Sequence, residues 1–550
     1  ILRSEVDAEK ARLSLALVAT RDQIVDLQRQ IASDESEDHA SIFDAHLLLL
    51  EDSAVLNEVL RICETELVAI ECAYYSVVKR YIDSLRKISD PYLRERAVDI
   101  EDVAGRVLKN LEGTEPSVGS ETHEADTTVI LAHDLTPSDT ASLDRSKVKG
   151  FATEVGSATS HTAIMARSLS IPAVVALHQI PFESLSAGNV LIDGYNGVVI
   201  IDPSPDTLVE YEALVEREKG ILSDLESFKD KPTLTSDGNK ITLSANIEFI
   251  DELGAVAEKN AEGVGLYRTE FFYLSEETLR NEANQAENYR TVAEATSPHG
   301  VIIRTLDIGG DKLYPELRSN PEPNPFLGWR GIRLSLDRAD EFRIQLRGIL
   351  RASAHGKVRV MFPFICSLEE IQAAKEQMEI SKQELRDAGV AFDEEIEIGA
   401  MIEIPSAVLV ADHIAKEVDF FSIGTNDLIQ YTTAVDRIND RVADLYQPMH
   451  PAVISMIRET VEAAHRNNIW CGVCGEAASD LTMTPVWVGL GVDELSVGSA
   501  QLLKTRKAIS LLSTEECTAL METLRTAGTE DTVKGLCREF AETAYPELLY

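Results

Sequence analysis

Between residues 234 and 550 the chain alternates short apolar, β-branched runs with longer helix-patterned segments, and it does so eight times. The candidate strands cover residues 241–247, 263–268, 301–308, 358–363, 396–404, 420–424, 470–474 and 494–497. Strands separated by helical segments make parallel βαβ units, whose sheet has to be covered by helices. Eight such units predict a closed TIM barrel. A doubly wound open sheet is the alternative, and the regularity of the repeat favours closure. Closure also fixes where chemistry gathers, at the C-terminal ends of the strands.

Those ends are unusually polar. The second strand ends Tyr267-Arg268-Thr269-Glu270, and the third runs on through Arg304-Thr305-Leu306-Asp307-Ile308-Gly309-Gly310-Asp311-Lys312. Asn324-Pro325-Phe326-Leu327-Gly328-Trp329-Arg330 follows. The fifth ends Met401-Ile402-Glu403-Ile404-Pro405. The sixth ends Gly424-Thr425-Asn426-Asp427-Leu428, with Asp436-Arg437 shortly after, and the seventh Cys471-Gly472-Val473-Cys474-Gly475-Glu476. One mouth is therefore expected to collect Arg268, Arg304, Arg330 and Arg437, the carboxylates Glu403 and Asp427, and a thiol. A lone arginine at a strand end is ordinarily a surface or ion-pair residue. Four at one mouth, in a chain with 93 Asp and Glu against 52 Lys and Arg, are better explained by a small, multiply charged anion. Guanidinium forks bind phosphate and carboxylate bidentately. Glu403 and Asp427, on neighbouring strands, can share a hard cation, and all-oxygen ligation with retained waters suits Mg²⁺. The Cys471-x-x-Cys474 spacing leaves a redox or metal pair open. No second CxxC exists and the surroundings are barrel, so Cys474 reads as an acid at the mouth and Cys471 as packing.

The first half is organised differently. Residues 6–111 are almost wholly helix-patterned, with Gly and Pro nearly absent, and predict a bundle-like hairpin system in which His46 is a surface or packing residue. Residues 113–127 are polar and read as a linker. A small α/β unit follows, with strands expected at 128–132, 148–153, 173–176, 189–193 and 198–201, and a short helix opening at 135–138. Residues 203–230 are charged and helix-patterned, a connector. Inside the α/β unit lies Gly156-Ser157-Ala158-Thr159-Ser160-His161-Thr162-Ala163-Ile164-Met165-Ala166-Arg167, which reads as loop, then helix. His161 is thereby expected beside a helix N-terminus, where free N–H groups and the macrodipole stabilise an anion, including a phosphate carried on the imidazole. A capping histidine is the bland alternative.

The net charge of −41 argues against nucleic acid as a partner and fits a basic protein partner. No run of about 18 apolar residues is present, so no membrane insertion is expected, and no signal-peptide pattern opens the chain. Seven scattered cysteines suggest reduced thiols and a cytoplasmic location.

On these residues the chain resembles enzyme I of the bacterial phosphoenolpyruvate:sugar phosphotransferase system, most specifically at 156–167 and 263–476. The resemblance implies a multidomain α/β fold: a helical partner-binding domain inserted in a small α/β phosphohistidine domain, followed by a C-terminal (β/α)8 TIM barrel. It implies a helical HPr-binding domain at 1–120, a swivelling phosphohistidine domain at 121–202, a helical linker at 203–233, and a barrel at 234–550 that binds phosphoenolpyruvate and forms a homodimer. Phosphoenolpyruvate would be held by Arg268, Arg304, Arg330, Asn426, Asp427 and Arg437, with Mg²⁺ on Glu403 and Asp427. Cys474 would protonate the enol carbon, Thr140 would support the active histidine, and His161 would carry the phosphoryl group to the small protein HPr. Two features depart from the family. Ser157 stands where a second glycine is usual, which is expected to stiffen the loop, and the family's first strand is not in this sequence, which is expected to leave a central or edge strand unpaired. The rival readings are a nitrogen-branch paralogue and a pyruvate phosphate dikinase or phosphoenolpyruvate synthase. The latter two place a large nucleotide-binding domain ahead of the histidine.

Overall fold

In the computed structural model the eight expected strands form one closed parallel barrel. The strands are β6 (Thr242–Ile247), β7 (Val264–Tyr267), β8 (Val301–Arg304), β9 (Val358–Phe362), β10 (Glu397–Ile402), β11 (Phe420–Gly424), β12 (Trp470–Cys474) and β13 (Glu494–Gly498). β13 pairs with β6 to close the ring. The third strand is shorter than its apolar run, ending at Arg304. The structure describes residues 1–34, 50, 53–86, 91–113, 128–133, 135, 147–155, 166, 171–177, 188–270, 280–309, 322, 324–437, 439, 441–442 and 445–549. They divide into two compact units, Ile1–Leu214 and Val215–Tyr550.

Strand periodicity sorts the barrel's side chains into two cores. Successive residues on a strand face opposite sides of the sheet. Ile303, Val360, Ile402, Phe421, Ile423 and Val473 face outward and pack under the surrounding helices. Their neighbours Leu266, Ile302, Met361, Met401, Phe420 and Cys474 fill the barrel interior as a separate cluster, with Phe420 stacked on Trp470 at 4.5 Å. Two residues beyond Leu266, Ile302 and Met401, on the same inward face, come Arg268, Arg304 and Glu403. The period of two that makes the core thus delivers charge to the C-terminal mouth.

In the first unit, four helices (Val6–Asp34, Ser53–Glu66, Ile70–Arg86 and Pro91–Glu112) pack around one core. Ile70, Ala73, Tyr74, Val77 and Val78 recur at helical spacing and are buried. The first turn of Ile70–Arg86 is tied from another helix: Glu9 accepts the Ile70 N–H at 2.8 Å and is itself held by Arg12 at 2.6 Å. The α/β part has a parallel sheet of β1 (Thr128–Ala132), β2 (Val148–Thr153) and β3 (Ala173–Val174), and an antiparallel hairpin of β4 (Val190–Asp193) and β5 (Val198–Ile201). The Asp193 carboxylate fixes the hairpin turn by accepting the N–H groups of Tyr195 and Asn196, both at 3.0 Å. The connector is a helix, Pro205–Glu226.

Candidate active site

At the C-terminal mouth of the barrel lies a cavity of about 190 Å³, lined among others by Arg268, Arg304, Arg330, Glu403, Asn426, Asp427, Arg437 and Cys474. They arrive from several elements, with Asn426 and Asp427 sharing one helix. Arg268 follows β7 and is paired with Glu248, just past β6. Arg304 ends β8 and is clasped by Glu270 and, at 3.2 Å, by Asp307. Arg330 comes from the loop after β8 and pairs with Asp307 at 3.2 Å and Asp427 at 2.8 Å. Arg304 and Arg330 are both buried, and the Nε of each makes no hydrogen bond to the described residues. Burial opposes the charge of Arg330, but Asp307 and Asp427 outweigh it and hold the guanidinium protonated.

Glu403 lies just past β10, and Asp427 in the first turn of the helix Thr425–Thr433 after β11. One Glu403 oxygen accepts the Phe364 N–H at 2.6 Å. The other lies beside Gly424, where a Cβ would come within 2.5 Å of it, so only glycine leaves that carboxylate its room. Burial, then the negative charges of Asp427 and Asp307, push the Glu403 carboxyl above the usual carboxylate range. A buried carboxyl pushed up by the negative charges converging on it is the arrangement a hard cation relieves. Among the described residues no three acidic, histidine or cysteine side chains cluster as a complete cage. Glu403 and Asp427 would offer a hard divalent cation two carboxylates, with the remaining positions left to water and substrate.

Register puts Cys474 beside these groups. Cys474 ends β12, pairs with Gly424 of β11, and receives the Ser422 hydroxyl at 3.3 Å. Burial pushes its thiol up to about 11, so it is a protonated acid at neutral pH. Cys471, three residues earlier on the strand, faces the opposite side and is buried in the outer core. The two cysteines therefore do not act as a CxxC pair. Beyond Cys474 the backbone turns sharply. Gly475 has φ +96°, and a Cβ there would lie 2.4 Å from Thr425 Oγ1. Thr425 donates to the Cys474 carbonyl at 3.1 Å, and Glu476 N–H donates to Asn426 Oδ1 at 3.1 Å. Arg437 is held through its backbone N–H by Gln430 at 3.2 Å.

The structure thus gathers Arg268, Arg304, Arg330, Glu403, Asn426, Asp427, Arg437 and Cys474 around one cavity. His161, Thr140 and His46 lie outside the described residues. Sequence reasoning missed Asp307, which pairs with both buried arginines, although it stands three residues beyond Arg304 in the same polar run. It also missed Glu248 and Glu270, the partners of Arg268 and Arg304. Phe364 and Tyr431 contact Arg330, and no local motif marks either.

Three family models match the chain in order: the N-terminal region of phosphoenolpyruvate-utilising enzymes at 1–96, their mobile domain at 124–197, and their phosphoenolpyruvate-binding domain at 223–514. A phosphoenolpyruvate-protein phosphotransferase of Geobacillus stearothermophilus is 44% identical over 98% of this chain and 93% of its own. One of Bacillus subtilis (strain 168) is 43% identical over 98% of this chain and 94% of its own. A solution structure described as Enzyme I is 39% identical, over 40% of this chain and 88% of that one, with a TM-score of 0.34.

Proposed function

The chain belongs to the phosphoenolpyruvate-protein phosphotransferase family, and from that premise we propose that it moves the phosphoryl group of phosphoenolpyruvate to its own His161 and then to a histidine of HPr, releasing pyruvate in the first step of sugar uptake. The observation that best supports this reading is the convergence of four arginines, two hard carboxylates and a neutral thiol on one cavity. Phosphoenolpyruvate carries a phosphate and a carboxylate a few atoms apart, and guanidinium groups recognise both. Arg268, Arg304, Arg330 and Arg437 hold these two ends, with Asn426 as a neutral donor.

The charge balance supports a divalent cation. Six carboxylates (Glu248, Glu270, Asp307, Glu403, Asp427 and Glu476) accompany the four guanidinium groups, an excess of two negative charges when all are ionised. An anionic substrate is repelled by such a mouth unless positive charge is added. Glu403 and Asp427 are the residues that would hold Mg²⁺, which supplies charge neutralisation at the phosphate and at the developing enolate. The arginines keep the phosphoryl group oriented towards the nucleophile, because this transfer depends on positioning and charge stabilisation. In this reading His161 is the nucleophile, imidazole being a side chain able to accept a phosphoryl group near neutral pH, and Thr140 supports it. When the bridging P–O bond breaks, Cys474 gives its proton to the enolate carbon and pyruvate leaves. Solvent then restores the thiol.

In the same reading residues 1–120 dock HPr, 121–202 carry the histidine between sites, 203–233 link, and 234–550 bind phosphoenolpyruvate and pair two copies of the chain, all in the cytoplasm. No helix among the described residues is long and apolar enough to cross a membrane, and all seven cysteines are unpaired. The test is pyruvate release from phosphoenolpyruvate and Mg²⁺. Without HPr the expected yield is a burst of one pyruvate per chain; with HPr in excess, release continues until the carrier is consumed. Continuous release without HPr, or none with it, contradicts the proposal.

A further inference from the structure

Of the four arginines lining the cavity, Arg330 comes from the loop beyond β8, and it is contacted by more than its two acidic partners Asp307 and Asp427. One guanidinium nitrogen donates to the Tyr431 hydroxyl at 3.1 Å, and that hydroxyl donates in turn to the carbonyl of Phe326 at 2.5 Å. Phe326 belongs to the short turn Pro325–Leu327 of Arg330's own loop, whereas Tyr431 sits on the helix Thr425–Thr433 that also carries Asp427. Beneath the guanidinium lies the Phe364 ring, 4.5 Å from it, with its edge against Tyr431 at 5.8 Å. Phe364 has φ +59°, in the left-handed region that a bulky side chain adopts at a cost, and its N–H is the donor to Glu403. Gly331, next to Arg330, also has positive φ, and a Cβ there would approach Phe364 Cβ to 2.7 Å.

We propose that Tyr431, backed by Phe364, is a positioning residue: its hydroxyl links the Arg330 guanidinium to the Pro325–Leu327 turn and so sets where that arginine meets the substrate's phosphate or carboxylate. The proposal rests on the phosphoenolpyruvate reading given above. A purely structural role for Tyr431 predicts something else, since its ring alone would suffice to pack the helix.

Tyr431→Phe removes only the hydroxyl. With Mg²⁺ saturating, the KM for phosphoenolpyruvate in pyruvate release is expected to rise about tenfold, the scale of a lost hydrogen bond to a charged group. The kcat should change much less and the barrel's thermal midpoint should stay within a degree or two of the parent. The same change made in an Arg330→Lys background, which keeps the charge but not the fork, should add less than a twofold effect, because Tyr431 acts through Arg330. Phe364→Leu, which keeps an apolar side chain but removes the ring face, should raise KM in the same direction. An unchanged KM in Tyr431→Phe, or an equal fold-change with and without Arg330→Lys, overturns the proposal. Failure of the parent reading shows elsewhere, as an unmodified protein that releases no pyruvate, and that result overturns both.

Discussion

At Cys474, register and burial together suit the proton donor proposed above. The side chain faces the barrel interior, its thiol is pushed up to about 11, and Ser422 donates to the sulfur. A group whose pKa is raised by burial holds its proton throughout the neutral range, which suits an acid and not a nucleophile. Cys474→Ala should therefore slow pyruvate formation by about a hundredfold, the usual scale for loss of a general acid. Transfer from phospho-His161 to HPr involves no enolate and should stay near normal, and Cys471→Ala should show only a packing loss. Rapid-quench measurement of the two half-reactions checks this. Equal damage to both halves, or identical behaviour of the two cysteine variants, would show that the thiol is structural. The same residue shows what is legible without coordinates. The spacing Cys471-x-x-Cys474 left a paired role open, and strand geometry decides it, because residues three apart on a strand face opposite sides. Asp307 shows the opposite case. It lies in a polar run that sequence reading noticed, but its pairing with both Arg304 and Arg330 depends on a loop folding back from residue 330.

At the scale of elements, strand boundaries were readable because strands buried on both faces read as continuous apolar runs between helical segments. The runs at 420–424 and 470–474 agree with β11 and β12 to the residue. The run through 301–308 overshot because apolar residues continue past Arg304 into the loop that turns Asp307 towards the arginines. Contacts such as Tyr431 with Phe326 stayed hidden because they join residues about a hundred positions apart with no periodic signal. One such long-range tie makes an acid-stability prediction. The hydroxyl of Thr235 and the Thr514 N–H, at the start of the helix Thr514–Leu524, both donate to Asp237. The hydrogen bond from Thr235, helped by that from Thr514, outweighs desolvation and lowers the Asp237 carboxyl to about 2. A lowered carboxylate pKa adds stability above its ordinary pKa, and that stability is lost as pH falls towards the folded value. Between pH 4 and 2 the barrel unit should therefore lose stability more steeply with Asp237 than with Asp237→Asn. Chemical denaturation at several pH values measures this, and parallel curves for the two proteins would show that the tie contributes nothing.

At the scale of the whole molecule, the two compact units and the separate cores imply separable stability. Calorimetry should show two unfolding transitions, and in His161→Ala, which cannot take up the phosphoryl group, phosphoenolpyruvate with Mg²⁺ should raise only the one belonging to residues 215–550, since a ligand stabilises the unit that binds it. A single transition, or a shift in both, would mean that the units unfold together. The central claim is that the barrel mouth phosphorylates a histidine carried by the other unit. Its most direct test is the position of the phosphate after incubation with labelled phosphoenolpyruvate and Mg²⁺. An acid-labile, base-stable label should appear on the peptide containing His161 and vanish in His161→Ala, in Glu403→Gln and in the presence of a chelator. Label that persists in His161→Ala, or that forms in full without a divalent cation, would contradict the account.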